Sequence, residues 1–379
     1  MKKLLIATDT FLPALDGATS FLKEIIPRLK DHYKITVLCP DYGKIETKLD
    51  AKIIKFKPFN FYLGDRRPVM PKFSVLKQEI KKTDIVWIQG LGLIGLFSII
   101  FSKRYNKPSA MITHIIEWDL FPKAAGKKSL AVPIHVLVKF LATRLYNMTD
   151  IIIVTSQEIS ELLSLLGITT RKRLAHLGID TKKFTPTKDK EKAKRKLNLD
   201  KNDFIIGYVG RLAHEKDLKT IFRAYSRLNK KYPKTKLLIV GEGRSDIKTF
   251  LEKKDNVILT GRKVEVVPYY QAMDVHVLAS LSETTSLSTL EAMSCGLPVL
   301  ATPVGYIKEY IKDMNNGILI KKQDSYFLYR KLEFLMQDSQ LRKELGENAR
   351  QTVVNKFSWE NTVESILKVF DELTAVPKD

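Results

Sequence analysis

Short runs of aliphatic and β-branched residues alternate with helix-length amphipathic stretches along the chain, and this alternation restricts the fold more than any other feature. Leu4 to Thr8, Gly17 to Lys30, Lys34 to Cys39, Ile85 to Gln89, Ser109 to Thr113 and Ile151 to Thr155 follow one another as strand and helix signals, the order from which parallel sheets are built. The strand segments are almost wholly apolar, as in Lys-Ile-Thr-Val-Leu and Asp-Ile-Ile-Ile-Val-Thr. Such strands need helices over both faces of the sheet. A Lys-rich stretch with Pro186 runs from Asp180 to Asp203, and the alternation then resumes in Phe204 to Val209, Lys236 to Val240, Val257 to Leu259, Val275 to Ala279, Pro298 to Ala301 and Gly317 to Ile320. A chain of 379 residues is too long for one core. The expected fold is therefore α/β, with two Rossmann-like, doubly wound parallel-sheet domains facing across a cleft, the first over residues 1–184 and the second over 185–357. Ligands of such sheets bind where strands end and the topology switches.

Composition removes several function classes. Cys39 and Cys295 are the only cysteines, which supports neither a disulfide framework nor a thiolate metal site and fits a reducing cytoplasm. The apolar stretch after Met1-Lys2-Lys3 is too short for a signal peptide. The run from Ile85 to Phe101 contains Gln89 and three glycines and falls short of the ~20 residues that span a bilayer, so it reads as a strand plus a buried helix. A net charge of +22 attracts polyanions, anionic membrane or acidic small substrates.

Two groups of residues carry chemistry. Gly210-Arg211 directly follows a strand and Lys216 opens the next helix. A diphosphate needs such cations, with a glycine that lets the backbone approach; taken alone, the pair reads equally as surface charge. Glu283 is followed eight positions later by Glu291 in Ser-Glu-Thr-Thr-Ser-Leu-Ser-Thr-Leu-Glu-Ala-Met. Thr284, Thr285, Ser286 and Leu287 should expose amides at a helix N-terminus, a cradle for phosphate oxygens. Carboxylates beside that cradle would repel bare phosphate but accept hydrogen bonds from sugar hydroxyls. In isolation they read as solvated helix charges.

The pattern resembles the Glu-x7-Glu signature of family 4 retaining glycosyltransferases, whose fold is the two-domain GT-B type. The resemblance extends through Pro13 to Gly17, Thr113-His114, Gly178-Ile179-Asp180 with Phe184 and Pro186, Gly210-Arg211 with Lys216, Val240-Gly241-Glu242-Gly243, Gly261, Glu283 to Pro298, and Ser358-Trp359-Glu360. It implies that the first domain binds the acceptor, the second binds the nucleotide sugar, and residues 358–379 form a helix crossing back to the first domain. It also implies site roles. Gly17 and Gly210 approach the donor, Arg211 and Lys216 hold its diphosphate, and Thr285, Ser286 and Leu287 line the phosphate loop. Glu291 binds the ribose, Glu283 contacts the transferred hexose, and Arg262 and Lys263 meet the base through backbone groups. His114 orients the sugar and stabilises the transition state; alone it reads as a satisfied imidazole. The donor is a nucleotide diphosphate sugar, UDP-sugar favoured over GDP-sugar. No cofactor or metal is expected, since cations and helix dipoles carry the leaving charge and no Asp-x-Asp pair occurs.

The chain departs from the family pattern at three places. Asp16-Gly17 stands for the usual Gly-Gly, Glu283-Thr284-Thr285-Ser286-Leu287 for Glu-Gly-Phe-Gly-Leu, and Gly305-Tyr306 for a double glycine. The threonines disfavour positive φ, so the phosphate loop must use ordinary backbone angles or side-chain hydroxyls. Between Leu120 and Thr149, Lys123, Lys127, Lys128, Lys139 and Arg144 interleave with apolar residues. That reads either as an interfacial helix for anionic lipid or as a helix packed on the sheet. The cluster His114 to Asp119 also looks like the region of members acting on glycerolipids. Acceptors remain open among lipids, glycans and soluble sugars, with the enzyme cytoplasmic or peripheral on the inner face of the cell membrane. Competing readings are a sugar phosphorylase, a nucleotide-sugar epimerase and a basic polyanion-binding protein. No nucleic acid is expected as partner, and a dinucleotide oxidoreductase fails for want of Gly-x-Gly-x-x-Gly after the first strand.

Overall fold

The computed structural model describes every residue except 15, 48, 62–66, 114–127, 253, 255, 284 and 376–379, and the backbone alone of 128–135. The chain forms two compact units, Met1–Leu177 with Thr362–Asp379, and Gly178–Asn361. Residues 178–184, assigned to the first domain on sequence, are held by the second unit: the Ile179 amide donates to the Phe357 carbonyl at 2.7 Å, and the Phe184 ring packs edge-on against Tyr270.

The first unit contains β1 (Lys2–Ala7), β2 (Tyr33–Pro40), β3 (Lys52–Phe56), β4 (Ile85–Ile88), β5 (Ser109–Thr113), β6 (Ile151–Val154) and β7 (Arg171–Leu174), in the spatial order β3-β2-β1-β4-β5-β6-β7. Every pairing is parallel, with Leu4 opposite both Ile35 and Ile85. All four residues of β4 and of β6 are buried, as a sheet covered on both sides demands. One face packs Leu5, Val86, Met111 and Ile152 beneath helices. On the other, Trp87 meets Phe21 and Phe370 edge-on, with ring centroids at 6.0 and 5.4 Å. Phe370 belongs to the terminal helix Trp359–Ala375, whose buried Ile366, Val369, Phe370 and Leu373 recur at helical spacing. Glu372 fixes that helix further by accepting from Arg173 at 2.7 Å and from Arg171 at 3.1 Å.

The sheet changes direction between β1 and β4, and there the chain supplies its own anion. Asp9, just beyond β1, accepts from the amides of Ile94 at 2.9 Å and Gly95 at 3.1 Å. These amides open the helix Leu93–Arg104, so its positive end is satisfied from within. A Cβ on Gly92 would collide with the Asp9 side chain. Asp16 does the same for the helix Gly17–Leu29, accepting from the Thr19 amide at 2.8 Å and the Thr10 hydroxyl at 2.5 Å.

The second unit contains β8 (Phe204–Val209), β9 (Thr235–Val240), β10 (Val257–Leu259), β11 (Val275–Leu278), β12 (Val299–Ala301) and β13 (Ile318–Leu319), again all parallel, in the order β10-β9-β8-β11-β12-β13. Its switch lies between β8 and β11. The helix Leu218–Lys231 after β8 buries Leu218, Ile221, Tyr225 and Leu228 on one stripe and is capped by Asp217, which sits in the left-handed region. Among the described residues no helix is long and apolar enough to cross a membrane.

Candidate functional site

Three loops at the carboxyl ends of β8, β9 and β10 are joined by their backbones. The Gly210 amide donates to the Val240 carbonyl at 3.0 Å, Leu212 to Glu242 at 2.9 Å, Arg244 back to Leu212 at 2.8 Å, and Gly241 to Gly261 at 3.0 Å. Gly210 and Gly241 have φ of +153° and +146°, open to glycine at little cost. A Cβ on Gly241 would fall on the Gly210 carbonyl oxygen. The loops can approach this closely only because side chains are absent there.

From this platform the chain makes a turn at His214–Lys216. The Glu215 carbonyl accepts from the Leu281 amide at 2.7 Å, which docks the turn on the loop after β11. Lys216 then donates to Glu283 Oε1 at 2.6 Å, and Ser280 donates to the same oxygen at 2.7 Å. The pair is largely enclosed, with side-chain exposures of 17% for Lys216 and 8% for Glu283. Arg211 points elsewhere, donating to Glu215 at 2.9 Å from an exposed position. The two cations expected to converge are therefore each held by a carboxylate, Lys216 by Glu283, which the sequence pattern singled out, and Arg211 by Glu215, which it did not.

Ser286 caps the helix Leu287–Ser294, its hydroxyl accepting from the Thr289 amide at 3.4 Å, and Leu287 is the first helical residue. Thr285 directly precedes the cap, outside any helix or strand, and Thr284 lies outside the described residues. Glu291 stands on this helix with Oε2 2.8 Å from the Tyr270 hydroxyl, which donates to it and also lies 3.1 Å from the Ser288 carbonyl. Burial pushes the Glu291 carboxyl up to about 7, against the opposing pull of the Tyr270 hydrogen bond and of Lys183.

This shift has a sign that can be tested. The folded state holds the Glu291 proton more tightly than the unfolded chain, which releases it near the ordinary 4.5. The stability this contributes is complete below that pH and is lost as pH rises through about 7. Denaturant titrations of the parent chain and Glu291→Gln between about pH 5 and 8 should show the difference moving against the parent as pH rises. A pH-independent difference would mean that Glu291 ionises as in water.

The second sheet thus gathers Gly210, Arg211, Lys216, Glu283, Thr285, Ser286, Leu287 and Glu291 at the carboxyl ends of β8 and β11. Arg262 and Lys263 are exposed in the loop after β10, directly beyond Gly261. Gly17 belongs to the first unit, where an added Cβ would meet nothing within 4 Å. His114 lies outside the described residues. Sequence reasoning missed Glu215, Ser280 and Tyr270; only Ser280, placed directly after a strand and three residues before Glu283, carried a local signal.

Comparison with known proteins agrees with this geometry. Residues 15–183 match the family model described as Glycosyltransferase Family 4, and residues 189–352 match that of Glycosyl transferases group 1. Two curated relatives are named alpha-monoglucosyldiacylglycerol synthase. The one from Streptococcus pneumoniae is 27% identical over 82% of this chain and 74% of its own length. The one from Acholeplasma laidlawii is 24% identical over 91% of this chain and 90% of its own. Among solved structures, Anabaena HepE in complex with UDP superposes with a TM-score of 0.77 at 19% identity, covering 98% of this chain and all of that one. The chain belongs to the glycosyltransferases of group 1 and family 4, and its two parallel-sheet units are those of the GT-B fold.

Proposed function

We propose that the protein is a retaining hexosyltransferase that takes a nucleotide diphosphate sugar, UDP-sugar before GDP-sugar, and transfers the sugar to a hydroxyl of a membrane glycerolipid. The observation that carries this reading is the placing of Lys216, Glu283 and the capped helix Leu287–Ser294 at the switch point of the second sheet. The bond from the anomeric carbon to the diphosphate oxygen breaks, and its electron pair leaves with the diphosphate. Lys216, Arg211 and the helix-end amides stabilise that charge, so the step requires no divalent metal. Lys216 and Ser280 both take Glu283 Oε1, which leaves Oε2 for a hexose hydroxyl; Glu291 accepts from the ribose. The acceptor oxygen bonds to the same face of the sugar, and its proton passes to the departing phosphate. His114 orients the sugar.

A lipid acceptor is supported by the two relatives named as glucosyldiacylglycerol synthases and by the helix Lys128–Tyr146 of the first unit. There Val136, Leu137, Phe140 and Leu141 all stand exposed, Val136 at 61%, with Arg144 4.9 Å over the Phe140 ring. Apolar and cationic groups together on one helix suit the surface of an anionic bilayer.

The test is thermal stabilisation by UDP, GDP and their sugars with EDTA present, followed by transfer of labelled sugar to diacylglycerol in phosphatidylglycerol vesicles and assignment of the product anomer. Stabilisation by a uridine nucleotide and an α-linked glycolipid from an α-linked donor are expected. Absence of any nucleotide effect would overturn the donor assignment, and an inverted product would overturn retention.

A further inference from the structure

Tyr270 lies 21 residues before Glu291 in sequence, on the short helix Val267–Ala272, and has no place in the reading above. Its ring is wholly buried, edge-on to Phe184 at 6.1 Å and to His276 at 5.8 Å. Packing from these two rings fixes the phenol direction, and the hydroxyl arrives 2.8 Å from Glu291 Oε2. A phenol has a single proton to donate. Burial raises the Tyr270 pKa well above its ordinary value, with the Glu291 charge adding to the effect, so the hydroxyl stays a donor throughout the working range.

We propose that Tyr270 is the positioning residue of the donor site: it holds Glu291 by Oε2, so that the carboxylate presents Oε1 to a ribose hydroxyl. The proposal rests on the assignment of Glu291 to the ribose. Tyr270 touches no substrate itself. It acts through Glu291 by donating to, and so favouring, the anion that accepts from the sugar diol.

The groups facing Glu291 make this measurable. Cys295, directly after the same helix, is pushed up to about 12 by burial, and His276 on β11, which packs against the Tyr270 ring, is pushed down to about 3 by burial, so neither titrates near neutrality. Lys183 contributes a positive charge from the segment before Phe184, and Arg350 from the helix Ser339–Lys356 acts on Cys295. Neither cation is removed by changing Tyr270.

The experiment measures UDP-glucose affinity by calorimetry between about pH 6 and 8.5, where its diester phosphates do not titrate, for the parent chain, Tyr270→Phe and Glu291→Gln. Parent affinity should rise through about pH 7 as Glu291 ionises. Tyr270→Phe keeps the ring packing and loses one hydrogen bond to the anion, which should move that rise up by about one pH unit. Affinity then falls about fivefold at pH 7 and returns to within about twofold of the parent at pH 8.5. Glu291→Gln should bind weakly at every pH. Equal affinity of Tyr270→Phe and parent, or a loss of the same size at every pH, would reduce Tyr270 to packing. Parent-like binding by Glu291→Gln would instead remove the ribose assignment beneath the proposal.

Discussion

Replacing Lys216 by methionine should lower kcat/KM for sugar transfer by about two to three orders of magnitude, the usual cost of deleting one preorganised group that faces developing negative charge. Methionine keeps the length and the apolar stem while removing the ammonium. Since charge on the diphosphate grows as the anomeric bond breaks, most of the loss belongs in kcat. A second effect must be separated from it. Lys216 also neutralises Glu283, whose side chain is only 8% exposed, and removing one partner of an enclosed pair costs about 3 kcal/mol. Adding Glu283→Gln removes the orphaned charge, so the double variant should recover stability but not rate. Steady-state rates and denaturant midpoints on the four proteins decide the matter. A Lys216→Met variant that lost stability but held kcat/KM within about tenfold would be a structural loss only.

Gly241→Ala should be the most damaging single-methyl change in the second unit, costing about 4 kcal/mol or more. The added carbon would have to occupy the space of the Gly210 carbonyl oxygen, and φ at Gly241 is +146°, a region that residues with a Cβ rarely enter. The loops after β8 and β9 must separate to admit it, carrying Arg211 out of place. Gly17→Ala is the natural control, because an added Cβ there meets nothing within 4 Å and the position opens a helix; its effect should lie within about 1 kcal/mol. Urea unfolding of both variants measures the contrast. A cost for Gly241→Ala below about 1 kcal/mol would show that the junction yields more readily than its geometry implies.

The central strands were legible because they are buried on both faces. β4 and β6 consist of Ile, Val and Trp, which no other element explains as well. β3 and β7 were not, and both are edge strands. β7 reads Arg-Lys-Arg-Leu with little burial, the charged composition that keeps an edge from pairing with other chains, and this hides the strand from any search for apolar runs. In the site, Glu283 and Glu291 were visible through their spacing and the resemblance it supports. The pairings were not, since Glu283 meets Lys216 across 67 residues and Glu291 meets Tyr270, a residue with no motif of its own, across 21. Such contacts follow from strand order, and one sequence holds no record of which loops end up side by side. The same limit applies to Asp9, joined to Ile94 across 85 residues.

Asp9 bears on a question of symmetry. The two units repeat one design, a parallel sheet that reverses beside its first strand with a helix starting at the reversal. A duplicated design ordinarily duplicates its affinities, and both helix ends would then compete for the same anion. In the first unit the carboxylate of Asp9 already occupies the amides of Ile94 and Gly95, and an incoming phosphate would meet a like charge that cannot diffuse away. One side chain thus makes the corresponding helix ends of two similar sheets chemically unequal.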